Sequence, residues 1–314
     1  MMPRKKRIAL AIAIPSIIVI IIIITGILLY LNTDMFKSNK TLFFKYFGKN
    51  SENIKEIEEI FNVEIKEYSG RKVFIVNPKE QNKSEQTILY IHGGAYMAEV
   101  TKDHWDFIKK IVEDTNATVI VPDYPLAPKY TYKEVFNMME PLYKEVVSKV
   151  NMEKFIVMGD SAGGGLALAL EEKLSQEEIE MPEKTILISP WLDTRLTNPK
   201  IPEVQKRDRQ LNKFKLQIAA LGYAGKDGKD NYLVNPIDGD LSKLKNITIF
   251  TGTNDILNPD VYVLKEKAEK SNIEINIKEY ENAGHIWFIE KNSGEVLTNK
   301  GYQDCLETIK NQAE

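Results

Sequence analysis

The most continuous apolar stretch of the chain lies near its beginning. Residues 8–31 form a run of 24 positions without a charge, dominated by isoleucine and leucine. A helix of that length covers roughly 36 Å, enough to cross a hydrocarbon core of about 30 Å. The pattern predicts one transmembrane helix. A cleaved secretory signal is the alternative, but the run exceeds the ~7–15 residues of a signal core, and no small-residue cleavage pattern follows Gly26 before Asp34.

Beyond residue 60 the pattern changes to short apolar runs that alternate with longer stretches of helical periodicity. The predicted strands are 63–68, 72–76, 87–91, 118–121, 154–158, 185–189, 247–251 and 273–280. The predicted helices are one that Ser51 can cap and those near 102–113, 132–150, 165–174 and 294–312. Strands separated by helices indicate an α/β fold, with parallel pairing and helices on both faces of the sheet.

One segment interrupts this alternation. Residues from about 192 to 240 are polar and rich in Pro, Asp and Lys, and only 210–221 has a clear helical pattern. An insertion of this length above a parallel sheet predicts a small cap or a wall of a substrate pocket. We therefore expect a basic tip and anchor at 1–33, a connector and cap helix at 34–60, and a large α/β domain at 61–314 that contains the insertion and would be the catalytic domain.

Charge and cysteine content narrow the possible classes of protein. The 314 residues carry a formal charge of −3, and removing 1–31, with four basic residues and no acid, leaves −7. An acidic domain gives no support to nucleic-acid binding. The single cysteine, Cys305, excludes an internal disulfide and a multi-cysteine zinc site, so we expect no metal. The basic cluster at 4–7 places the N-terminus in the cytoplasm and the domain outside the cell membrane.

The strongest chemical motif is a serine between two glycines. Gly159-x-Ser161-x-Gly163 lies between a predicted strand and a predicted helix. Such a turn forces the serine into strained backbone geometry, and it presents the hydroxyl at the carboxyl edge of the sheet. The helix that begins behind it favours developing negative charge. Ser161 is the candidate nucleophile.

A second glycine-containing turn follows the strand at 87–91. Its residues, His92, Gly93, Gly94 and Ala95, let the backbone run close to the sheet edge. Their N–H groups, together with that of Ala162, can point at the oxygen of a tetrahedral intermediate. We expect Gly93, Gly94, Ala95 and Ala162 to form an oxyanion hole.

A serine nucleophile needs a general base, and one of the three histidines of the chain must supply it. His92 belongs to the oxyanion turn and is expected to be structural, while His104 begins a helix, where a surface or capping role suffices. His285 follows the last predicted strand in a short glycine-containing loop, at the carboxyl edge of the sheet. His285 is the candidate base.

In proteins that carry the Gly-x-Ser-x-Gly turn between a strand and a helix, the acid follows the serine and precedes the histidine along the chain. Asp255, four residues past the strand at 247–251, fits best. Asp260 is the second choice and is expected to cap the next helix instead. Asp193, at the edge of the insertion, is expected to be structural.

Together these motifs resemble those of the bacterial hormone-sensitive-lipase-like esterases. The resemblance covers about residues 60–312. The matching segments are His-Gly-Gly at 92–94, Asp-Tyr-Pro-Leu-Ala-Pro at 123–128, Gly-Asp-Ser-Ala-Gly-Gly at 159–164, Ser-Pro-Trp-Leu-Asp at 189–193 and Gly-Thr-Asn-Asp-Ile-Leu at 252–257. It implies an α/β-hydrolase fold with an eight-stranded, mostly parallel sheet and a small helical cap, and the oxyanion N–H groups of Gly94 and Ala95. The implied activity is hydrolysis of esters with short to medium acyl chains, without a cofactor.

The sequence departs from the family pattern in four places. Ala95 stands where a third glycine is usual, and we expect its backbone N–H to serve as before and its methyl group to narrow the acyl site. Pro125 replaces an arginine and Lys129 a glutamate, so a structural ion pair is absent there. The membrane anchor is not part of the usual pattern and leaves the natural substrate open, whether a small-molecule or a lipid-like ester.

Two further classes of function stay open on the sequence alone. The candidate triad of Ser161, His285 and Asp255 would also serve an amidase, a lactonase or a deacetylase. A location outside a membrane suits the substrates of such enzymes. A ligand-binding protein on an inactive hydrolase scaffold is the other class, although all three triad positions are filled. The sequence does not specify the oligomeric state.

Overall fold

The structure, a computed structural model, describes residues 53–79 and 84–311. Within those two ranges no helix is long and apolar enough to cross a membrane. The predicted transmembrane run at 8–31, its basic flank and the helix cap at Ser51 lie outside the described residues. The domain boundary predicted at 33 also lies outside them, and neither it nor the boundary predicted at 60 is tested by the structure.

Strands and helices alternate through the described part of the chain. The strands are β1 (Asn62–Tyr68), β2 (Arg71–Asn77), β3 (Thr87–Ile91), β4 (Thr118–Pro122), β5 (Phe155–Asp160), β6 (Lys184–Ile188), β7 (Ile247–Gly252) and β8 (Ile275–Tyr280). The helices are α1 (Asn53–Ile60), α2 (Lys102–Thr115), α3 (Tyr132–Val147), α4 (Ala162–Gln176), α5 (Ile201–Val204), α6 (Lys213–Ala224), α7 (Asn258–Lys270), α8 (Trp287–Glu290) and α9 (Glu295–Lys310). Short 3-10 turns cover Met152–Lys154 and Pro236–Asp238.

All eight strands form one sheet in the order β1-β2-β4-β3-β5-β6-β7-β8. β2 pairs antiparallel with β1 and with β4, and the strands from β4 to β8 pair in parallel. Ser69 and Gly70 make the tight hairpin between β1 and β2, both with positive φ. The expected eight-stranded, mostly parallel sheet is confirmed.

The central strands are apolar on both faces because helices cover both. Along β5, Phe155 and Val157 enter one core cluster, while Ile156 and Met158 enter the other. The first cluster holds the inner faces of α3, α4, α6 and α7, and the second holds those of α2 and α9. This two-sided burial explains why these strands appear in the sequence as continuous apolar runs.

The insertion between β6 and β7 contains more helix than its sequence pattern indicates. The expected helix at 210–221 is α6, which begins at Lys213 after a side-chain cap by Asn212. The four-residue helix α5 was not predicted, and its Ile201 and Val204 are buried. A helix this short contributes too few apolar positions for its period to be recognised.

The four-residue helix α8 was not predicted either, and the other differences are at element ends. α4 was expected from residue 165 but begins at Ala162, so that its first turn contains three buried glycines. Glycine disfavours a helix interior, and the pattern therefore placed the start too late. β8 begins at Ile275 rather than residue 273.

Candidate active site

Parallel strands bring their following loops to one edge of the sheet, and the predicted site residues follow four such strands. The turn at His92 follows β3, Ser161 follows β5, Asp255 follows β7 and His285 follows β8. The loop after β6 joins them, since Oγ of Ser189 accepts the backbone N–H of Ile286 at 3.2 Å. The candidate residues thus share the carboxyl edge of the sheet.

Ser161 occupies the strained turn that the motif predicts. Its φ and ψ are 51° and −121°, outside the regions that L-residues favour. Its backbone N–H donates to the carbonyl of Ile188 at 2.8 Å, and its carbonyl accepts from Trp191 at 2.8 Å. A Cβ on Gly163 would lie 2.1 Å from the carbonyl oxygen of Ile91, so only glycine fits there. Backbone bonds on both sides hold Ser161 in this conformation.

His285 and Asp255 form a buried pair. Nδ1 of His285 lies 2.8 Å from Oδ2 of Asp255, and both side chains are almost completely buried. The other carboxylate oxygen of Asp255 accepts the backbone N–H of Leu257 at 2.9 Å. These bonds orient the carboxylate and make Nδ1 the protonated nitrogen of a neutral His285, which leaves Nε2 as its basic atom.

The charges around His285 favour its protonated form. Burial lowers the pKa of His285, but the charge and hydrogen bond of Asp255, with smaller contributions from Glu290 and Asp208, raise it to about 9. Asp208 is fixed nearby because its Oδ2 accepts the N–H of Ile256 at 2.9 Å. The imidazole is therefore a stronger base than a free histidine.

The turn after β3 has three consecutive residues with positive φ. Gly94, Ala95 and Tyr96 have φ values of 113°, 53° and 60°. The carbonyl of Gly94 accepts the N–H groups of Met97 and Ala98 at 3.0 and 2.9 Å, which closes the turn. Turns with such backbone conformations can present successive N–H groups to one anion, so this turn is a candidate oxyanion site.

The N–H of Gly93 does not serve the same purpose. It donates to Oδ1 of Asp160 at 3.0 Å, and a Cβ at Gly93 would lie 2.9 Å from that of Ser161. The inclusion of Gly93 as an oxyanion donor is thus at odds with this bond, because its one backbone proton is already committed. Gly94, Ala95 and Ala162 remain the candidate donors.

Asp160 was assigned no role from the sequence, yet it links three elements. It is fully buried, and its Oδ1 also accepts the hydroxyl of Tyr90 at 2.6 Å. Its Oδ2 lies 3.2 Å from Nε2 of His104. Desolvation raises the pKa of Asp160, but His104 and Tyr90 outweigh it and lower the pKa overall. The sequence feature that could have indicated a role for Asp160 was its position directly before Ser161 in the nucleophile motif.

His104 was expected to have a surface role or a capping role, and the surface role is wrong. It is 3% exposed, and its Nδ1 accepts the N–H of Thr101 at 3.0 Å in a capping box. Since Nδ1 accepts, Nε2 carries the proton that is donated to Asp160. The expected capping role is correct, and the histidine also anchors the buried carboxylate.

His92 has the structural role that was expected of it. Its Nδ1 donates to the carbonyl of Gly93 at 2.7 Å, and its ring stacks on Tyr124 at 4.4 Å. Burial, followed by the charge of His104, lowers the pKa of His92 to about 3. A histidine held neutral in this way supports the turn and does not exchange protons near neutral pH.

The two other candidate carboxylates are engaged elsewhere. Asp260 lies in the first turn of α7, where its Oδ1 accepts Nδ2 of Asn198 at 2.9 Å. Burial raises the pKa of Asp260 to about 6. Asp193 accepts the Nε–H of Arg195 at 2.6 Å. Neither is the bonded partner of His285, a position that Asp255 fills.

The region of the missing ion pair is stabilised differently. Arg71 of β2 binds Asp123 at 2.7 Å and also donates to the backbone carbonyl of that residue. Lys129 lies over the ring of Tyr130 at 4.8 Å. An ion pair to the neighbouring strand therefore holds this segment next to the oxyanion turn.

No group of three or more His, Cys, Asp or Glu side chains suited to a metal ion occurs in residues 53–79 and 84–311. The polar groups at the sheet edge are instead arranged for acid–base and nucleophilic chemistry. A strained serine, a histidine–carboxylate pair and a glycine-containing turn at one sheet edge are the groups that serine hydrolases with this motif use.

Comparisons with known proteins agree with this class. A family model described as "alpha/beta hydrolase fold" matches residues 88–289, and a family of unknown function matches 1–82. The chain belongs to the α/β-hydrolase fold family. Within it, the chain is a carboxylic ester hydrolase, which agrees with the activity expected from the motifs.

The relatives carry the names of esterases and related hydrolases. An esterase of Acinetobacter venetianus is 33% identical over 204 residues, which cover 64% of this chain and 67% of the relative. An acetyl-hydrolase of Streptomyces hygroscopicus is 25% identical over 68% of this chain and 71% of its own. An esterase structure of the bacterial hormone-sensitive lipase family has a TM-score of 0.74 at 21% identity, covering 81% of this chain and 85% of its own.

Proposed function

We propose that this protein is a membrane-anchored serine esterase that works through an acyl-enzyme, with Ser161 as nucleophile, His285 as base and Asp255 as the orienting acid. The observation that carries the proposal is the buried bond of 2.8 Å between His285 and Asp255. It lies at the sheet edge where the backbone of Ser161 is held at φ 51°.

The proposed steps follow from the protonation of each group. Nε2 of His285 takes the proton of Ser161 as its oxygen attacks the ester carbonyl, and Asp255 stabilises the imidazolium that forms. The N–H groups of Gly94, Ala95 and Ala162 stabilise the tetrahedral oxyanion. The alcohol leaves with the proton from His285. Water activated by the same histidine then hydrolyses the acyl-enzyme.

The proposed substrate is a carboxylic ester with a short to medium acyl chain. The Streptomyces relative is called an acetyl-hydrolase, and a structure of EstE5, with a TM-score of 0.71, was soaked with p-nitrophenyl butyrate. Ala95 adds a methyl group to the oxyanion turn, and Tyr96 beside it stacks on Tyr223 of α6 at 3.6 Å. These side chains support a confined acyl site.

Membrane attachment is the second part of the proposal. It rests on the uncharged run at 8–31 and the basic cluster at 4–7, which would hold the N-terminus in the cytoplasm and the domain on the opposite side. A lipid-like ester would then be within reach of the site. The single-pass arrangement and this location remain proposals.

The test is hydrolysis of p-nitrophenyl esters from acetate to palmitate by the full chain in detergent micelles. We expect activity that falls beyond short and medium chains, and a loss on the order of 10⁶ in turnover for Ser161→Ala. Near-normal activity of the Ser161→Ala variant would contradict the nucleophile assignment.

A fluorophosphonate probe separates the competing functions. Labelling that requires Ser161, without hydrolysis of any ester, would point to an amide, a lactone or another acyl substrate of the same triad. An unlabelled protein with a normal thermal unfolding transition would point to a binding function.

A further inference from the structure

An apolar stripe lies on the outer face of α6, the longest helix of the insertion. In the described part of the chain six large apolar side chains are exposed, and three of them, Phe214, Ile218 and Leu221, lie on α6. They are 69%, 45% and 70% exposed and occur at the i, i+4 and i+7 spacing of one helix face. We call these three residues the α6 stripe.

The opposite face of the same helix is buried. Leu216, Ala219, Ala220 and Tyr223 belong to the core cluster below the insertion. A helix that is apolar on both faces has two packing surfaces, and only the inner one is covered in the described residues. An exposed apolar patch of this kind marks an interaction surface.

The charge around the stripe indicates the chemistry of the partner. The segment 209–226 contains Arg209, Lys213, Lys215 and Lys226 and no acidic residue, although the chain beyond residue 31 carries −7. Apolar side chains flanked by lysines are the composition of helices that lie in the interface of an anionic membrane. A lipid surface satisfies both features at once.

The connector that precedes the described residues is a weaker candidate for the partner. Residues 32–50 contain four lysines and one aspartate, so like charge opposes their contact with α6. The same positive charge attracts the connector to an anionic bilayer. Fully extended, 21 residues such as 32–52 could cover at most about 76 Å, so a membrane that held 8–31 would lie within reach of the domain.

The position of α6 relates the stripe to the active site. Tyr223 on the inner face of α6 stacks in parallel on Tyr96 of the oxyanion turn at 3.6 Å. The stripe is thus one helix diameter from the turn that receives the substrate carbonyl. Contact between α6 and a lipid surface would bring the site to esters held in that surface.

We propose that the α6 stripe docks on the surface of an anionic phospholipid bilayer and that the enzyme takes esters presented there. This inference rests on the proposed membrane-anchored esterase and adds the orientation of the domain and the source of its substrate.

The experiment uses the full chain in vesicles of phosphatidylcholine and phosphatidylglycerol. Leu221→Cys is labelled with an environment-sensitive fluorophore, and Val296→Cys, which replaces an 81% exposed side chain on α9, is the matched control. The native Cys305 does not compete, because it is buried and burial raises the pKa of its thiol to about 12. Spin-labelled lipid is the quencher.

We expect quenching at position 221 and none at position 296, and a loss of quenching at 221 when Lys213 and Lys215 are changed to Gln. In one outcome the protein floats with the vesicles and hydrolyses p-nitrophenyl butyrate normally, yet shows no quenching at 221. That result would overturn the inference and leave the esterase proposal standing. A label at 221 already shielded before lipid is added would assign the stripe to the connector and also overturn it. Failure of the full chain to float would overturn both the anchor and the docking.

A second measurement reads the consequence for catalysis. Replacing Phe214, Ile218 and Leu221 with Ser should lower kcat/KM for a long-chain ester embedded in vesicles on the order of tenfold. Hydrolysis of soluble p-nitrophenyl butyrate should be unchanged, because the stripe does not contact the triad. Equal losses on both substrates would contradict a docking role.

Discussion

At the scale of single residues, the site depends on how buried charges are paired. His285 faces one bonded carboxylate, Asp255, and two further acids, Glu290 and Asp208, that contribute to its pKa. Burial alone would make this histidine a weaker base. The three acids reverse that effect, so the pH dependence of the enzyme reports on them.

The first prediction concerns this pH dependence. Ester hydrolysis requires neutral His285, and since its pKa is raised we expect kcat/KM to keep rising above pH 6.5 and to level off only at alkaline pH. Glu290→Gln removes one charge that raises this pKa. It should move the rising limb to lower pH while the alkaline plateau stays unchanged. Superimposable profiles for the variant and the wild type would contradict the electrostatic account.

A second prediction concerns a buried glutamate that the triad does not use. Glu171 on α4 is fully buried and accepts the hydroxyl of Thr185 at 2.7 Å. Burial raises the pKa of Glu171 from 4.5 to about 8, despite this hydrogen bond. Between these values the folded state keeps a proton that the unfolded state has released, so the stabilising contribution of Glu171 is lost as pH rises from 4.5 to 8.

The loss should approach about 1.4 kcal/mol per pH unit inside that window. Glu171→Gln keeps a similar shape and has no titrating group, so its stability should fall less steeply than that of the wild type. Chemical denaturation at several pH values measures both slopes. Parallel curves would show that Glu171 does not titrate in this range.

At the scale of elements, the loops of the site are held by bonds between distant segments. The nucleophile turn packs so closely on the strand ends that Gly163 has no room for a side chain. The oxyanion turn is attached to the nucleophile motif through Asp160, which also binds Tyr90 and His104. The relative placement of Ser161 and the candidate oxyanion donors therefore depends on a network outside the proposed triad.

His104 offers a test of this network. His104→Ala leaves Oδ2 of Asp160 buried without its donor, and the carboxylate can then rotate away from Gly93. Gly93 would then no longer fix the neighbouring candidate donors Gly94 and Ala95. We expect kcat for p-nitrophenyl butyrate to fall about tenfold with little change in KM, because oxyanion donors act mainly in the transition state. His104→Gln, which retains an N–H donor, should recover most of the loss. Equal kcat for the alanine variant and the wild type would contradict a positioning role.

The nucleophile turn gives a prediction for stability. A Cβ at Gly163 would meet the carbonyl oxygens of Ile91 and His92 at 2.1 and 2.4 Å, and the backbone there has little freedom to move. Gly163→Ala should destabilise the fold by about 3 kcal/mol or more. Gly222→Ala on α6 is the control, since its nearest neighbours lie at 3.5 Å and alanine favours a helix. Thermal unfolding of both variants gives the comparison, and similar midpoints would contradict this view of the turn.

The elements also show where sequence patterns reach their limit. β3 and β4 were predicted within a residue because continuous apolar runs identify strands that are buried on both faces. The start of α4 was misplaced because glycines needed for close packing conceal a helix that tertiary contacts stabilise. α5 was missed because four residues carry too little periodicity.

At the scale of the whole molecule, membrane attachment and catalysis are proposed to reside in separate parts of the chain. Deleting residues 8–31 should make the protein extractable from membranes by alkaline carbonate without changing kcat for soluble p-nitrophenyl butyrate. The full chain should resist extraction by alkaline carbonate. Release of the full chain under that treatment would contradict a retained span.

The sequence by itself determined the family, the order of strands and helices along the chain, and the short list of candidate groups for catalysis. It could do so because strand periodicity and the Gly159-x-Ser161-x-Gly163 turn depend on neighbours only a few residues apart. Only the tertiary structure decided which of three aspartates bonds His285, that Gly93 is committed to Asp160, and that Tyr223 lies on Tyr96. Those contacts join residues 30, 67 and 127 positions apart. Their existence follows from the order of strands in the sheet and the path of the insertion over its edge, which local patterns do not encode.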